Sequence, residues 1–285
     1  MPPGPAMRLI VAQLLCSALL AAAPLRAEEA DGATVEERRT MESIVVTATR
    51  IEESLLDVTE AISVIDADEI RRWAPDVVAE MLRGVPGTFF QQTTPGQGIP
   101  IIRGLKGSQV LHLVDGMRLN NAFFRDAPNQ YLGLVDPYAT RATEVIRGSA
   151  PSLYGADAMG GVLQILTREP VFEGSQWQAD GRVYGSFNSA DSSLVGRAEG
   201  AAGTATTVIS GGITYRDHGD RRTGGGETIR PSGYRADAAD IKFQHDLGDR
   251  SEIMLSAQYL EQPSTPRVDE LVPGFGQDEP SSERY

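Results

Sequence analysis

Two textures of hydrophobic patterning divide the chain near residue 176. Before that point the apolar runs are short, and each ends in glycine or charge. They are Ile101-Ile102-Arg103-Gly104, Val110 to Val114 followed by Asp115-Gly116, Glu144-Val145-Ile146-Arg147-Gly148, and Val162 to Thr167. Runs this short, rich in Val, Ile and Leu and bounded by turn residues, predict strands closed by turns. Ala61 to Ile65 alternates and predicts another strand. Asp66 or Asp68 then starts a helical stretch, DADEIRRWAP, which Pro75 ends. Asp76 is expected to cap a helix over DVVAEMLRGV, because Val77, Val78, Met81 and Leu82 share one helical face. Thr88 to Gln92 predicts a strand running into a polar glycine loop, Thr93 to Gly98. The elements together predict an α+β domain, a small mixed sheet packed by short helices.

After Gln176 the segments lengthen and alternate strictly. Trp177, Ala179, Gly181, Val183 and Phe187 interleave with Gln178, Asp180, Arg182 and Ser186. Leu194, Gly196 and Ala198 interleave with Arg197 and Glu199; Thr207, Ile209, Ile213 and Tyr215 with Ser210, Thr214 and Arg216. Ala239, Ile241, Phe243 and Leu247 interleave with Asp240, Lys242, Gln244 and Asp246; Ile253, Leu255, Ala257 and Tyr259 with Glu252, Ser256 and Gln258. Period two over about ten residues is the pattern of a transmembrane β-barrel strand, apolar toward lipid and polar toward the lumen. A soluble β-sandwich shows the same alternation. The connections alternate in length, with tight ones at Gly200 to Thr204 and Gly248 to Arg250. Longer ones run over Asn188 to Ser193, Asp217 to Arg235, and from Gln262 onward. Periplasmic turns and outer loops alternate in that way.

The first 27 residues carry an export pattern: Arg8, an apolar run from Leu9 to Ala23, and Leu25-Arg26-Ala27 ahead of Glu28-Glu29. Cys16, the single cysteine, lies inside that run, so a processed chain has no disulfide or thiolate chemistry. The formal net charge is −13, and processing also removes Arg8 and Arg26, which argues against a nucleic-acid partner. Residues 28–41 are charged and poor in apolar anchors, the composition of a tether. Glu42-Ser43-Ile44-Val45-Val46-Thr47-Ala48 follows, a strong strand former isolated behind that tether.

The order I-R-G, then V-x-x-L-V-D-G, then EVIRGSAPSLYGADAMGGV resembles the plug domain of TonB-dependent outer-membrane receptors, over residues 42–169. The resemblance implies a plug over 49–170, then the first five or so strands of a barrel from 171 to 285. Such receptors close about 22 strands, so the chain is expected to be a fragment or a truncated product. Residues 42–48 look like a TonB box, which pairs as an added strand with the TonB-type energy-coupling protein. The family implies an outer-membrane location in a Gram-negative bacterium and contact with membrane lipid. It implies a small metal-chelate ligand such as a ferric siderophore, haem or cobalamin, with no cofactor of the protein's own. Arg103, Asp115, Glu144 and Arg147 lie in the family-like motifs and are expected to hold the plug through charged contacts with the barrel.

Two loops have the composition of a recognition surface. One is Gln91 to Gly98, with Gln91 and Gln92. The other is LNNAFFRDAPNQYL, which offers Asn120, Asn121, Phe123, Phe124, Arg125, Asn129 and Tyr131. Phe123 and Phe124 present flat apolar faces, and Arg125 suits an anionic chelate. No P-loop lysine motif and no G-x-S-x-G elbow occurs, and His112, His218 and His245 lack an i, i+4 partner. No enzyme and no metal centre is therefore expected, and His112 is read as a packed strand residue. A second reading is a periplasmic module that binds the coupling protein and transports nothing.

Overall fold

The four apolar runs before residue 170 meet in two neighbouring ladders. The computed structural model describes residues 45–46, 53–54, 61–92, 95–119, 131–155, 157–248, 251–266 and 282–283. The expected signal (1–27), the tether (28–41), the box flanks 42–44 and 47–48, and 120–130 lie outside the described residues. Within Val45–Tyr285 the described residues group as one compact unit.

The first strands are β1 (Val45–Val46) and β2 (Glu53–Ser54), which pair antiparallel. A five-stranded mixed sheet follows, made of β3 (Ala61–Asp66), β6 (Val110–Val114), β7 (Met117–Arg118), β8 (Thr140–Arg147) and β9 (Gly161–Thr167). Its order is β3-β8-β9-β6-β7, with β6 and β9 parallel and the other pairs antiparallel. β6 and β9 are buried along their whole length, which is why both read as continuous apolar runs and not as alternation. The β6–β7 hairpin closes through Asp115-Gly116 at φ 48° and 77°. Two successive left-handed residues are what a two-residue hairpin turn demands, and Asp-Gly supplies them. A Cβ on Gly161 would press on the Ile146 carbonyl and lie 3.0 Å from Ile102, so β9 can dock there only as glycine.

Helix α1 spans Ala67–Trp73, where Asp66 caps it by accepting from the Glu69 amide at 2.8 Å. Asp68 and Glu69 occupy its first turn, Arg71 and Arg72 its last, and Ala74 ends it in the left-handed region just before Pro75. The expected helix over 76–85 is instead a 3-10 turn, Val78–Leu82, whose N-cap is Val77. Asp76 cannot cap it, since Arg221 and the Arg216 guanidinium hold that residue on its other side. All five residues of the turn are buried, so no polar face exists to support a longer helix. Next come β4 (Thr88–Gln91) and β5 (Ile99–Ile102), a separate antiparallel ribbon. A short helix, α2, spans Pro151–Tyr154.

Ile65, Ile70, Val78, Met81, Leu82, Ile102, Val110, Val145, Leu163 and Ile165 pack in one cluster, all of them from this first domain. A domain with its own core should fold alone. Residues 42–170, expressed as a separate soluble chain, should give a folded circular dichroism spectrum with a cooperative melt. A random-coil spectrum would show that this core depends on the strands that follow.

Those strands are β10 (Gln178–Asn188), β11 (Ser193–Gly203), β12 (Thr207–His218), β13 (Tyr234–Gly248) and β14 (Ser251–Glu261), paired antiparallel in chain order. β10 and β14 are the two edges, so the sheet is open. The β11–β12 turn falls at 204–206, beyond the expected Gly200 to Thr204, because Ala201 to Gly203 stay paired on both sides. A short ladder, β15 (Thr265–Pro266) with β16 (Ser282–Glu283), follows.

Burial on this sheet is inverted relative to a water-soluble protein. Val183, Phe187, Leu194, Ile209, Ile241, Leu255 and Tyr259 are exposed, Phe187 to 68%. On the opposite face Arg197, Glu199, Ser210, Thr214, Arg216 and Lys242 are buried, Arg216 to 0% exposure. Five strands with apolar side chains outside and charges inside are the wall of a lipid-facing barrel, not half of a soluble sandwich.

Candidate functional site

Most ion pairs across the seam between the two domains join an acid of the first to a base of the wall; Arg168, which faces Asp180 and Glu199, runs the other way. Four acids of the first domain, Asp115, Glu169, Asp136 and Asp76, meet Lys242, Arg197, Arg221 and His218 of the wall. Asp115 Oδ2 stands 2.9 Å from Lys242 Nζ on β13, and its two oxygens also accept from the amide and hydroxyl of Thr167. Glu169 lies 3.4 Å from the same ammonium. Asp136 Oδ2 accepts from Thr214 Oγ1 and stands 3.4 Å from Arg197 Nη1. Arg197 also pairs with Glu199 at 2.7 Å and with Asp240 at 2.8 Å, so one buried guanidinium gathers three carboxylates. Glu199 in turn takes Arg182 at 2.5 Å and Arg168 at 3.4 Å. Buried charges persist only when paired, and each member of this group faces an opposite charge.

The fourth acid, Asp76, sits beside the end of the wall that carries the longer connections. Arg221 Nη2 donates to its Oδ2 at 2.6 Å, and Arg216 Nη1 donates to its carbonyl at 2.8 Å. His218 Nδ1 lies 3.5 Å from both Asp76 Oδ1 and Asp191 Oδ2, and its ring stacks on Tyr234 with centroids 4.5 Å apart. Arg221 leaves from the connection between β12 and β13. Within it, Asp220 accepts from the amides of Ser232 and Gly233, which hold its carboxyl below the usual carboxylate range.

Behind Asp76 stands Glu80 on the 3-10 turn. Burial, with Asp76 nearby, raises its carboxyl pKa. Its Oε2 accepts from the Asp76 amide at 3.1 Å, and its Oε1 accepts from Gln92 Nε2 at 2.9 Å. Nothing in the sequence pattern marks Glu80: it occupies a polar slot of an apparently amphipathic run, and its burial follows from the 3-10 geometry.

The expected recognition residues fall in different places. Gln91 and Gln92 are half-buried at the end of β4. Residues 95–98 are buried, with Gly96 against the Tyr234 ring and its carbonyl accepting from Gln262 Nε2 at 3.1 Å. Asn120, Asn121, Phe123, Phe124, Arg125 and Asn129 lie outside the described residues, and Tyr131 only opens a 3-10 turn, Tyr131–Leu134. Of the four motif residues, Asp115 reaches the wall. Arg147 donates to the carbonyls of Ala61 and Pro86 within its own domain. The Arg103 guanidinium lies over Gly148, where a Cβ would stand 2.8 Å from Nη1. Glu144 is buried mid-sheet on β8, between Val64 and Gln164 in register. Sequence reasoning missed Asp76, Asp136, Arg197 and Lys242 as seam residues. The only sequence signal of Arg197 and Lys242 is charge on the polar side of an alternating strand; Asp76 and Asp136 precede 3-10 turns and carry no such signal.

Residues 54–162 match the family described as the TonB-dependent receptor plug domain. The chain carries a TonB-dependent receptor plug domain. Among curated proteins, the vitamin B12 transporter BtuB of Vibrio vulnificus (strain YJ016) is 29% identical over 227 residues, 79% of this chain and 36% of that protein. The BtuB of Photobacterium profundum is 35% identical over 125 residues, 44% of this chain and 20% of that protein. The chain thus matches about a third or less of these relatives' own lengths. Among solved structures, the copper transporter OprC superposes with a TM-score of 0.57 at 20% identity, over 74% of this chain and 34% of that one. The siderophore receptor PirA from Acinetobacter baumannii superposes with a TM-score of 0.55 at 18% identity, over 88% and 37%. At those identities the superpositions speak to fold: a plug followed by antiparallel wall strands. The named relatives are transporters and receptors, not enzymes.

Proposed function

We propose that this chain is the N-terminal part of an outer-membrane receptor that takes up a scarce nutrient in a Gram-negative bacterium. One observation carries the reading: a folded plug is seated by buried ion pairs on the polar face of a sheet whose other face is bare and apolar. A periplasmic module would leave that apolar face in water, at a cost of roughly 25 cal/mol per Å². The ligand class is a corrinoid or a metal chelate, with cobalamin the first to test because the curated relatives named above are vitamin B12 transporters.

The energy source is the TonB-type coupling protein, acting on residues 42–48. Val45–Val46 pairs with only two residues, Glu53–Ser54, and so short a ladder is marginal in water. A partner offering a longer edge would displace it by strand addition. Pulling on the box loads the plug, whose seam contacts then yield and admit the ligand. No covalent bond of the ligand changes.

Ligand contact is assigned to the plug's recognition loops. In a complete receptor, Phe124→Ala combined with Arg125→Ala should weaken binding of the nutrient by roughly 1–3 kcal/mol, as truncating two anchors does. Equilibrium binding of cyanocobalamin, ferric catecholate and haem to purified receptor tests this. The folded yield should be unchanged. A lower yield with unchanged affinity in the folded fraction would assign these side chains to packing.

A further inference from the structure

The seam and the polar glycine loop are joined through one buried carboxylate. We propose that Glu80 is a positioning residue that ties the loop opening at Gln92 to the plug–wall contact at Asp76. The proposal extends the ligand assignment of residues 91–98 made above, but the link itself is a property of the protein without ligand.

Glu80 has little freedom. It is flanked on its turn by Val78, Ala79, Met81 and Leu82, all buried, which fixes its backbone. Its two oxygens face different elements: Oε1 takes the Gln92 amide, and Oε2 takes the Asp76 amide. The nearest cation, Arg83, lies 3.9 Å away and is largely exposed, so it screens the carboxylate weakly. Asp76 then passes the contact to the wall by two further bonds, through its carboxylate to Arg221 and its carbonyl to Arg216. Three hydrogen bonds in series therefore connect Gln92 to Arg221 in the connection between β12 and β13, and a fourth ties Asp76 to Arg216 on β12.

A ligand group that takes the Gln92 amide would strip Oε1 of its donor. A buried carboxylate cannot remain without one, so the Glu80 side chain must turn and release the Asp76 amide. Asp76 is then held less firmly against Arg221 and Arg216, and the plug loosens from the wall at this corner. Occupancy of the loop is thereby converted into a weaker seam before any pull is applied.

Hydrogen–deuterium exchange on the complete ligand-free receptor tests the link. The reporters are the Arg221, Ser232 and Gly233 amides, which bond within their own connection and touch neither Glu80 nor Gln92. Gln92→Ala and Glu80→Ala should each speed exchange there by about tenfold, while the β8–β9 ladder stays protected. Glu80→Gln should keep the slow rate, because the Gln92 amide can turn over and restore both bonds. Unchanged exchange at the reporters in both alanine variants would overturn the proposal. So would acceleration shared equally by the β8–β9 ladder, or acceleration as large in Glu80→Gln. Because the test contains no ligand, it can succeed even if the loop proves not to bind one, and it can fail even if the loop does.

Discussion

Replacing Arg197 with methionine in a complete receptor is expected to lower stability by about 3–5 kcal/mol, the cost of stripping one partner from a buried charge group. Methionine fills much of the same volume, so the loss is electrostatic and not a cavity. Asp136, Glu199 and Asp240 lie within 3.4 Å of the guanidinium, and the Arg197 side chain is 4% exposed. Glu199 retains Arg168 and Arg182, but Asp136 and Asp240 have no other ion pair among the described residues. The thermal unfolding midpoint of the purified receptor reads the effect. Adding Asp136→Asn to Arg197→Met should recover part of the loss, since one orphaned charge disappears. Arg235→Met is the control: its partner Asp237 is on the outward side and both are a third exposed, so it should cost less than about 1 kcal/mol. An Arg197→Met midpoint equal to that of the control would remove Arg197 from the seam.

Acidification is expected to destabilise the plug through His112. Burial alone pushes this imidazole down to about 4, from an ordinary 6.5. The unfolded chain therefore binds the proton first as pH falls. The histidine's contribution is full above 6.5 and is lost as pH drops toward 4, amounting to about 3 kcal/mol over that window. Glu80 acts in the opposite sense: its pKa is raised by burial, so its charge penalises the folded state more as pH rises. Urea unfolding of the 42–170 fragment at pH 7 and pH 4.5 measures the balance. The midpoint should fall on acidification, and His112→Gln should fall much less. An identical pH response in the two would show that other groups carry the acid sensitivity.

Much of this architecture was legible in the chain itself. The plug strands announced themselves because β6 and β9 are buried on both faces and so are apolar throughout. The Asp115-Gly116 hairpin was legible because few other dipeptides accept two left-handed residues. The wall strands were legible in their period of two, with the apolar side expected toward lipid, but alternation alone does not separate a barrel wall from a soluble sandwich. That was decided by Arg216 and Lys242, charged and yet buried under the plug. The 3-10 turn at Val78–Leu82 escaped, because a four-residue apolar spacing fits a helix until tertiary contacts claim the capping residue. Asp76 is that residue, and its partner Arg221 lies 145 positions away. The seam escaped for the same reason: apart from Arg168–Asp180, 12 positions apart, its pairs between plug and wall are distant in sequence, and none has a local signature. Among the motif residues, Arg147 was legible as a brace within the plug only after its donors were seen to end on Ala61 and Pro86.

The central claim, uptake energised through residues 42–48, is tested most directly by proline in that segment. Val45→Pro and Val46→Pro each remove a ladder donor and fix φ, so strand addition fails while the plug and its ligand loops are untouched. Cells expressing the complete receptor should bind radiolabelled nutrient at the surface with unchanged affinity, yet accumulate none beyond the level of an energy-coupling-deficient strain. Accumulation at the wild-type rate in either proline variant would contradict the account.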